Sequence, residues 1–375
     1  MRILIVGGGV LGTMHAWQAI HRGHDVVHLE REPEARGASV RNFGLVWVSG
    51  RAAGPELTTA LRARELWQAI AEQTPALGFR ANGSLTVLRT EAERAVAEAA
   101  TTNADAAERG FKLLTPAETR RLNPALRGDF MAALWCERDA AVEPRTAQPA
   151  LRASLRKTGR YTWLPSREVR TLTKTGVTDD HGDHGDHHEG DVTIFCTGAW
   201  LTGLVRELAG EVPVRRVRLQ MAQTEPLGET LTTSVADADS FRYYPAFRGD
   251  ALAELGRTQP QGDVAAAHKM QLLMVQRLDG SLTIGDTHEY DQPFGFDVTE
   301  DPYEHLAEVA GALLGRPLPR IRRRWAGVYA QALDPAAIVH RERLADNAFL
   351  VTGPGGRGMT CSPAIAADTA RELGL

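Results

Sequence analysis

The sequence predicts a mixed α/β chain, α+β overall, in which a Rossmann-like nucleotide-binding domain is interrupted by a β-rich second domain. Three observations predict it. An apolar run at 2–6 enters Gly7-x-Gly9-x-x-Gly12; glycine-bearing loops recur at 37–44, 196–200 and 353–360; and the stretch from about 214 to 284 turns to short β segments. At 375 residues, with 43% hydrophobic and 24% charged residues, the chain is long enough for two domains with a substantial core.

The first motif has a mechanical reading. Residues 2–6 form a buried parallel strand, Gly7 permits a tight turn, Gly9 admits a pyrophosphate to the backbone, and Gly12 lets the next helix pack closely on the sheet. That helix runs over 10–21 and stops at Gly23, a left-handed cap. Its N-terminal amides and positive dipole end favour an anion. A second strand at 25–29 delivers Glu30, placed 18 positions after Gly12 to accept hydrogen bonds from a ribose. A glycine fingerprint alone is a weak signal. Here strand, turn, helix, strand and acid occur in order, with NAD and FAD both open at this point.

Further along, helical spacing marks 58–73, an Ala/Glu/Arg-rich helix covers 91–109, and 84–88 reads as a strand. A helix over 144–156 precedes strands near 160–164, 168–173 and 192–196. The β-rich stretch holds segments at 217–224, 241–244, 269–275 and 281–284, with a turn at Asp279-Gly280. Helical periodicity returns over 301–314, and 347–351 is a terminal strand. The alternation predicts a nucleotide domain from three pieces, 1–80, 140–213 and 320–375, with 81–139 and 214–319 as the substrate domain.

Composition excludes several classes. A formal charge of −4 and the lack of basic runs with interleaved aromatics give no nucleic-acid signature. No stretch approaches the roughly 18 uncharged apolar residues of a membrane span. Met1-Arg2 leads straight into the first strand without a signal segment, so a cytoplasmic location is expected. Cys136, Cys196 and Cys361 are scattered and odd in number, which suggests reduced thiols. The His181–Gly190 tract crowds imidazoles and carboxylates but has no rigid element to fix a geometry, so it reads as a solvated hairpin tip and no metal site is expected.

Taken together, the four loops resemble those of the flavin-dependent amine oxidoreductases of the D-amino-acid oxidase, glycine oxidase and sarcosine oxidase superfamily, over nearly the whole length. The resemblance implies a glutathione-reductase-type flavin fold and non-covalent FAD. It implies that Gly7, Gly9, Val10, Leu11, Gly12, Glu30 and Arg31 hold the ADP half. Ser39, Arg41, Asn42, Gly44 and Leu45 match the second flavin loop, which carries no histidine or cysteine for covalent attachment. Val169 takes the position that meets the adenine, and Thr197 and Gly198 pass the pyrophosphate. Trp325-Ala326-Gly327 and Gly355, Gly356, Arg357, Gly358, Met359 and Thr360 match the segments closing over the isoalloxazine, where a helix beginning near Ser362-Pro363 adds a positive dipole end.

One departure concerns substrate. Amino-acid oxidases of the family commonly follow Trp-x-Gly with an arginine for the substrate carboxylate. Here Tyr329 occupies that place, and Arg242, Tyr244, His268 and Arg357 are the other expected substrate contacts. Ser39-Val-Arg-Asn-Phe-Gly-Leu-Val-Trp47 with Arg242-Tyr-Tyr-Pro-Ala-Phe247 resembles a subgroup associated with aminophosphonate breakdown. That implies oxidation of 2-aminoethylphosphonate or an N-methyl or hydroxy derivative, with oxygen or another electron acceptor. The rival readings are a sarcosine- or glycine-type amino acid oxidase, an NAD-linked dehydrogenase, and a flavin-binding electron-transfer subunit.

Overall fold

The structure, a computed structural model, describes residues 1–290 and 292–375. Its first sheet has six strands in the spatial order His340–Ala345, Ala348–Thr352, Val192–Phe195, Arg2–Val6, Asp25–Glu30 and Tyr161–Pro165. The last five of these run parallel, and His340–Ala345 closes one edge as an antiparallel hairpin partner. Arg2–Val6 lies between two parallel neighbours, which is why Ile3, Leu4 and Ile5 are apolar without alternation and fully buried. Each such side chain removed from water contributes roughly 1.5–3 kcal/mol. Helices Val10–His21 and Gly358–Glu372 pack together on one face, joined by Pro55–Gln73.

The second sheet has eight strands, ordered Ile321–Ala332, Val214–Pro226, Ser281–Gly285, Leu273–Gln276, Ser234–Asp237, Ser84–Leu88, Ala132–Cys136 and Phe111–Leu114. Both predicted insertions therefore build one sheet. The strand Ile321–Ala332 pairs with Val214–Pro226 along its length, so residues 321–332 sit in this sheet and not in the piece that begins at 320. That long strand pair links the two halves: the Ala332 amide donates to the Gly353 carbonyl at 2.9 Å, next to the terminal strand of the first sheet.

Four local readings are corrected. Residues 241–244 are not a strand; Ser240–Tyr243 is one helical turn, because Phe241, Tyr244 and Phe247 are all buried at a spacing of three and Arg242 pairs with Asp239 at 2.8 Å. The 91–109 helix is broken into Glu91–Thr102 and Ala106–Arg109, since Asp105 turns out of the first to hold the buried Arg109. The C-terminal helix starts at Gly358 rather than near Pro363. Proline at 363 lacks the amide that would reach the Met359 carbonyl, and the Trp67 indole N–H occupies that acceptor at 2.9 Å instead. The strand expected at 269–275 is instead Leu273–Gln276, with Lys269 in the left-handed region. The His-rich tract lies in a hairpin between Gly176–Asp179 and His187–Glu189. No helix among the described residues is long and apolar enough to cross a membrane.

Candidate active site

A cavity of about 840 Å³ runs from the C-terminal ends of the parallel strands to the underside of the eight-stranded sheet. Its outer end is shaped by Gly7, at φ +112°, and by Gly9, which line it. Gly12 does not face the cavity. A Cβ there would stand 1.9 Å from the Gly7 carbonyl oxygen, so its role is to let the helix touch the strand turn. Val10 and Leu11 line the wall from the first helical turn. Glu30 accepts from the Gly8 amide at 2.6 Å and from the Glu32 amide at 2.9 Å, and its burial raises the carboxyl pKa. Arg31 lies 3.8 Å over the ring of Trp200, which with Val169 walls the same end.

The middle is built by the second loop. Ser39 Oγ accepts from the Val10 amide at 2.8 Å, tying this loop to the helix N-terminus. Asn42 fixes the loop internally: its side-chain amide donates to the carbonyls of Ala38 and Ser39, and its oxygen accepts from the Gly44 amide at 2.7 Å. Arg41 donates to the Ala326 carbonyl at 2.8 Å and so joins the loop to the Trp325–Gly327 segment. Leu45 lines the cavity, whereas Gly44 does not; a Cβ on Gly44, at φ +71°, would meet the Val142 oxygen at 2.1 Å. Opposite stand Thr197 and Gly198. Thr197 Oγ1 is buried without a hydrogen-bond partner among the described residues.

The inner end is closed by residues 355–360. Gly355 has φ +60°, and a Cβ on Gly356 would lie 3.8 Å from each of the Tyr243 and Tyr329 hydroxyls, so this turn faces the tyrosines across the cavity. Gly358 and Met359 continue the wall. Thr360 Oγ1 accepts from the Trp47 amide at 2.9 Å, fixing the segment after the second loop against the C-terminal helix. Arg357 lines the cavity, but its guanidinium is engaged by Glu56 at 3.3 Å and by the carbonyls of Pro354 and Ala337. It therefore braces the turn rather than presenting a free cation.

Of the expected substrate contacts, Tyr329 and Tyr244 do converge here, joined by Tyr243, whose hydroxyl is 3.3 Å from that of Tyr329. Burial raises the pKa of all three phenols, which keeps them protonated hydrogen-bond donors. Arg242 is corrected: it borders the cavity, but its guanidinium is spent on Asp239 and on the Gln259 carbonyl. His268 is also corrected. It is not in the wall; its carbonyl receives the His288 amide, and His288 is the histidine that lines the cavity, stacked 4.0 Å from Tyr243.

Sequence reading missed Asp286, Gln271 and Arg51, all buried and cavity-lining. Arg51 is 3.6 Å from Glu56, on a loop held from behind. Asp139 accepts from the amides of Val48 and Ser49, and Arg109 donates to the carbonyls of Val48, Ser49 and Arg51. None of the three belongs to a spaced motif. Only the polar run Asp286-Thr-His-Glu directly after an apolar strand hinted at a site.

The cavity suits an extended dinucleotide ending in a flat ring. The unpartnered Thr197 hydroxyl, the glycine cradle and the Glu30 carboxylate are spaced along it, and Gly356 leaves room beneath the tyrosines. Comparison with known proteins agrees. The family model described as DAO, FAD dependent oxidoreductase, matches residues 2–372. A component of the opine oxidase of Rhizobium meliloti is 28% identical over 184 residues, which is 46% of this chain and 49% of that protein. The chain thus spans about half the length of this curated relative. Glycine oxidase from Geobacillus kaustophilus superposes with a TM-score of 0.76 at 20% identity, covering 98% of this chain and 94% of that one. L-proline dehydrogenase from P. horikoshii gives 0.77 at 20% identity, covering 99% and 92%. At these identities the likeness is one of fold.

Proposed function

The chain belongs to the FAD dependent oxidoreductase family, and on that premise we propose that it oxidises a small primary or secondary amine bearing an acidic group. The observation that carries this reading is the inner chamber, where Tyr329, Tyr243, Tyr244, His288 and Asp286 converge opposite Gly356. Bound FAD supplies the two-electron oxidation and passes the electrons to oxygen or another acceptor. The amine loses two electrons and two protons to become an imine, and water then releases an aldehyde or keto product with ammonia or the smaller amine.

The chain's own residues bind and orient. Protonated tyrosine hydroxyls donate to the acidic group of the substrate, and the walls exclude water from the reacting carbon. The names of the fold relatives, among them glycine oxidase and L-proline dehydrogenase, favour a small amino acid as the substrate. One observation favours an aminophosphonate. Arg215, Arg216 and Arg248 border the cavity and add positive charge that suits a doubly charged anion, and Tyr329 takes the position where the family resemblance places an arginine for a carboxylate.

Anaerobic mixing of the FAD-loaded protein with glycine, sarcosine, 2-aminoethylphosphonate and its N-methyl derivative tests both levels. Bleaching of the flavin by any of them supports amine oxidation. A higher kcat/KM for N-methyl-2-aminoethylphosphonate than for sarcosine selects the phosphonate; the reverse removes it.

A further inference from the structure

Asp286 is the carboxylate of the inner chamber, and its surroundings leave it one charge short. It is 5% exposed and borders the cavity. Oδ1 accepts from the Gln271 side-chain amide at 3.3 Å, and Oδ2 has no hydrogen-bond donor among the described residues. His288 Nε2 is 4.0 Å from Oδ2. The His288 Nδ1 lies 3.0 Å from the Lys269 carbonyl oxygen, which can only accept, so Nδ1 carries the proton and Nε2 of the neutral ring does not. Burial lowers the His288 pKa to about 4, so the ring does not supply the missing positive charge near neutral pH.

The other titratable groups near Asp286 are the neutral phenols of Tyr244, which caps the 240–243 turn, of Tyr329 from the long strand and of Tyr290 from its own segment, and Lys269, whose ammonium lies 4.8 Å over the Tyr290 ring and forms no ion pair with Asp286 among the described residues. Arg51, 5.5 Å from the Tyr244 ring, shares Glu56 with Arg357, and among the described residues neither arginine forms an ion pair with Asp286. Gln271 adds a second open acceptor, since its Oε1 is buried without a partner among the described residues. Two acceptors thus stand among hydroxyl donors in one chamber: the Tyr244 hydroxyl is 3.4 Å from the Gln271 side-chain nitrogen, and Tyr243 and Tyr329 line the same cavity. The hydroxyls fit the acidic end of a zwitterion, and the acceptors fit a nitrogen that carries hydrogens.

We propose that Asp286 binds the substrate nitrogen and takes its proton, with Gln271 and His288 as positioning residues. This rests on the amine reading above. The substrate enters as an ammonium; one N–H proton moves to Asp286 Oδ2, leaving the neutral amine and a neutral carboxylic acid, with no change in total charge. Oxidation then removes the two electrons and one α-hydrogen from the neutral amine, and Asp286 returns its proton to solvent during product release. Burial raises the Asp286 pKa to about 7, against the lowering effect of the Gln271 hydrogen bond, which suits a proton acceptor near neutrality.

The test compares wild type with Asp286→Asn and Asp286→Glu, all FAD-loaded, using whichever amine reduces the wild type best. Stopped-flow reduction is followed on both sides of pH 7. Asp286→Asn should keep its flavin spectrum, lose about 100-fold or more in kcat/KM, and lose the acidic limb of the pH profile; Asp286→Glu should recover part of both. Binding of acetate, which lacks the nitrogen, should be unchanged or tighter in Asp286→Asn. If the wild type reacts but Asp286→Asn keeps its rate and its pH profile, or if acetate and amine binding weaken in parallel, the assignment is overturned. A wild type that no amine reduces overturns the amine reading itself, and the assignment falls with it.

Discussion

Gly9 and Gly12 sit three residues apart in one motif, yet the structure separates their roles, and a paired substitution exposes the difference. An alanine Cβ at Gly12 would lie 1.9 Å from the Gly7 carbonyl oxygen and 3.1 Å from its carbon, both backbone atoms. Real Cβ contacts stay beyond about 3 Å, so helix and strand turn must part by about 1 Å, and overpacking of this kind costs roughly 1–3 kcal/mol. At Gly9 the new Cβ meets only the Ser39 side chain, with Oγ at 3.0 Å and Cβ at 3.9 Å, and a shift of a few tenths of an ångström relieves it while the Val10 bond is kept. Its harm falls on the ligand, because the methyl group stands where the pyrophosphate must approach the backbone. Thermal unfolding of the apoproteins should therefore show Gly12→Ala clearly destabilised and Gly9→Ala close to wild type. FAD titration should show Gly9→Ala weakened at least tenfold. An apo Gly12→Ala as stable as wild type, or a Gly9→Ala that binds FAD normally, refutes this division of labour.

Other consequences can be measured in the same way. Tyr329→Phe should raise KM and change substrate preference while flavin content stays constant, as read by absorbance and steady-state kinetics. Asp139→Ala removes the acceptor of the Val48 and Ser49 amides and of the Ser84 hydroxyl; each buried donor left unpaired costs about 1–3 kcal/mol, so the melting temperature should fall and the Arg51 loop should lose hydrogen-exchange protection. Because the folded pKa of Asp286 is raised from 3.8 to about 7, the native state holds the extra proton between those values. Its contribution to apoprotein stability is present at low pH and is lost as pH rises through about 7. Asp286→Asn should flatten that part of the stability profile in denaturant melts.

The dinucleotide half was legible because its rules are local. A strand without alternation, a glycine turn, a helix and an acid at fixed spacing describe one βαβ unit, and the helix Val10–His21 and the strand Asp25–Glu30 occur where spacing predicts them. The β-rich half was less legible. Strands at 84–88, 111–114 and 132–136 share a sheet with strands beyond 214, a pairing that no local pattern encodes. The turn at 240–243 was misread because two adjacent tyrosines raise β propensity, while the burial of Phe241, Tyr244 and Phe247 at helical spacing decided the outcome. The inner chamber fared similarly. Arg242 carries the charge expected of an anchor, but Asp239 and Gln259 draw it away, whereas Asp286 meets Gln271 and His288 at the cavity only through the fold. Charge identity is visible in a sequence; the partner that neutralises it is not.

The central claim is that FAD lies along this cavity with its reactive ring beneath Tyr329 and Asp286, open to an amine. Anaerobic titration of the FAD-loaded protein with small acidic amines, followed in the visible flavin band, tests it most directly. Loss of the oxidised band in proportion to added substrate is the predicted result. A colourless protein that takes up no FAD, or a bound flavin that stays oxidised with every amine offered, would contradict it.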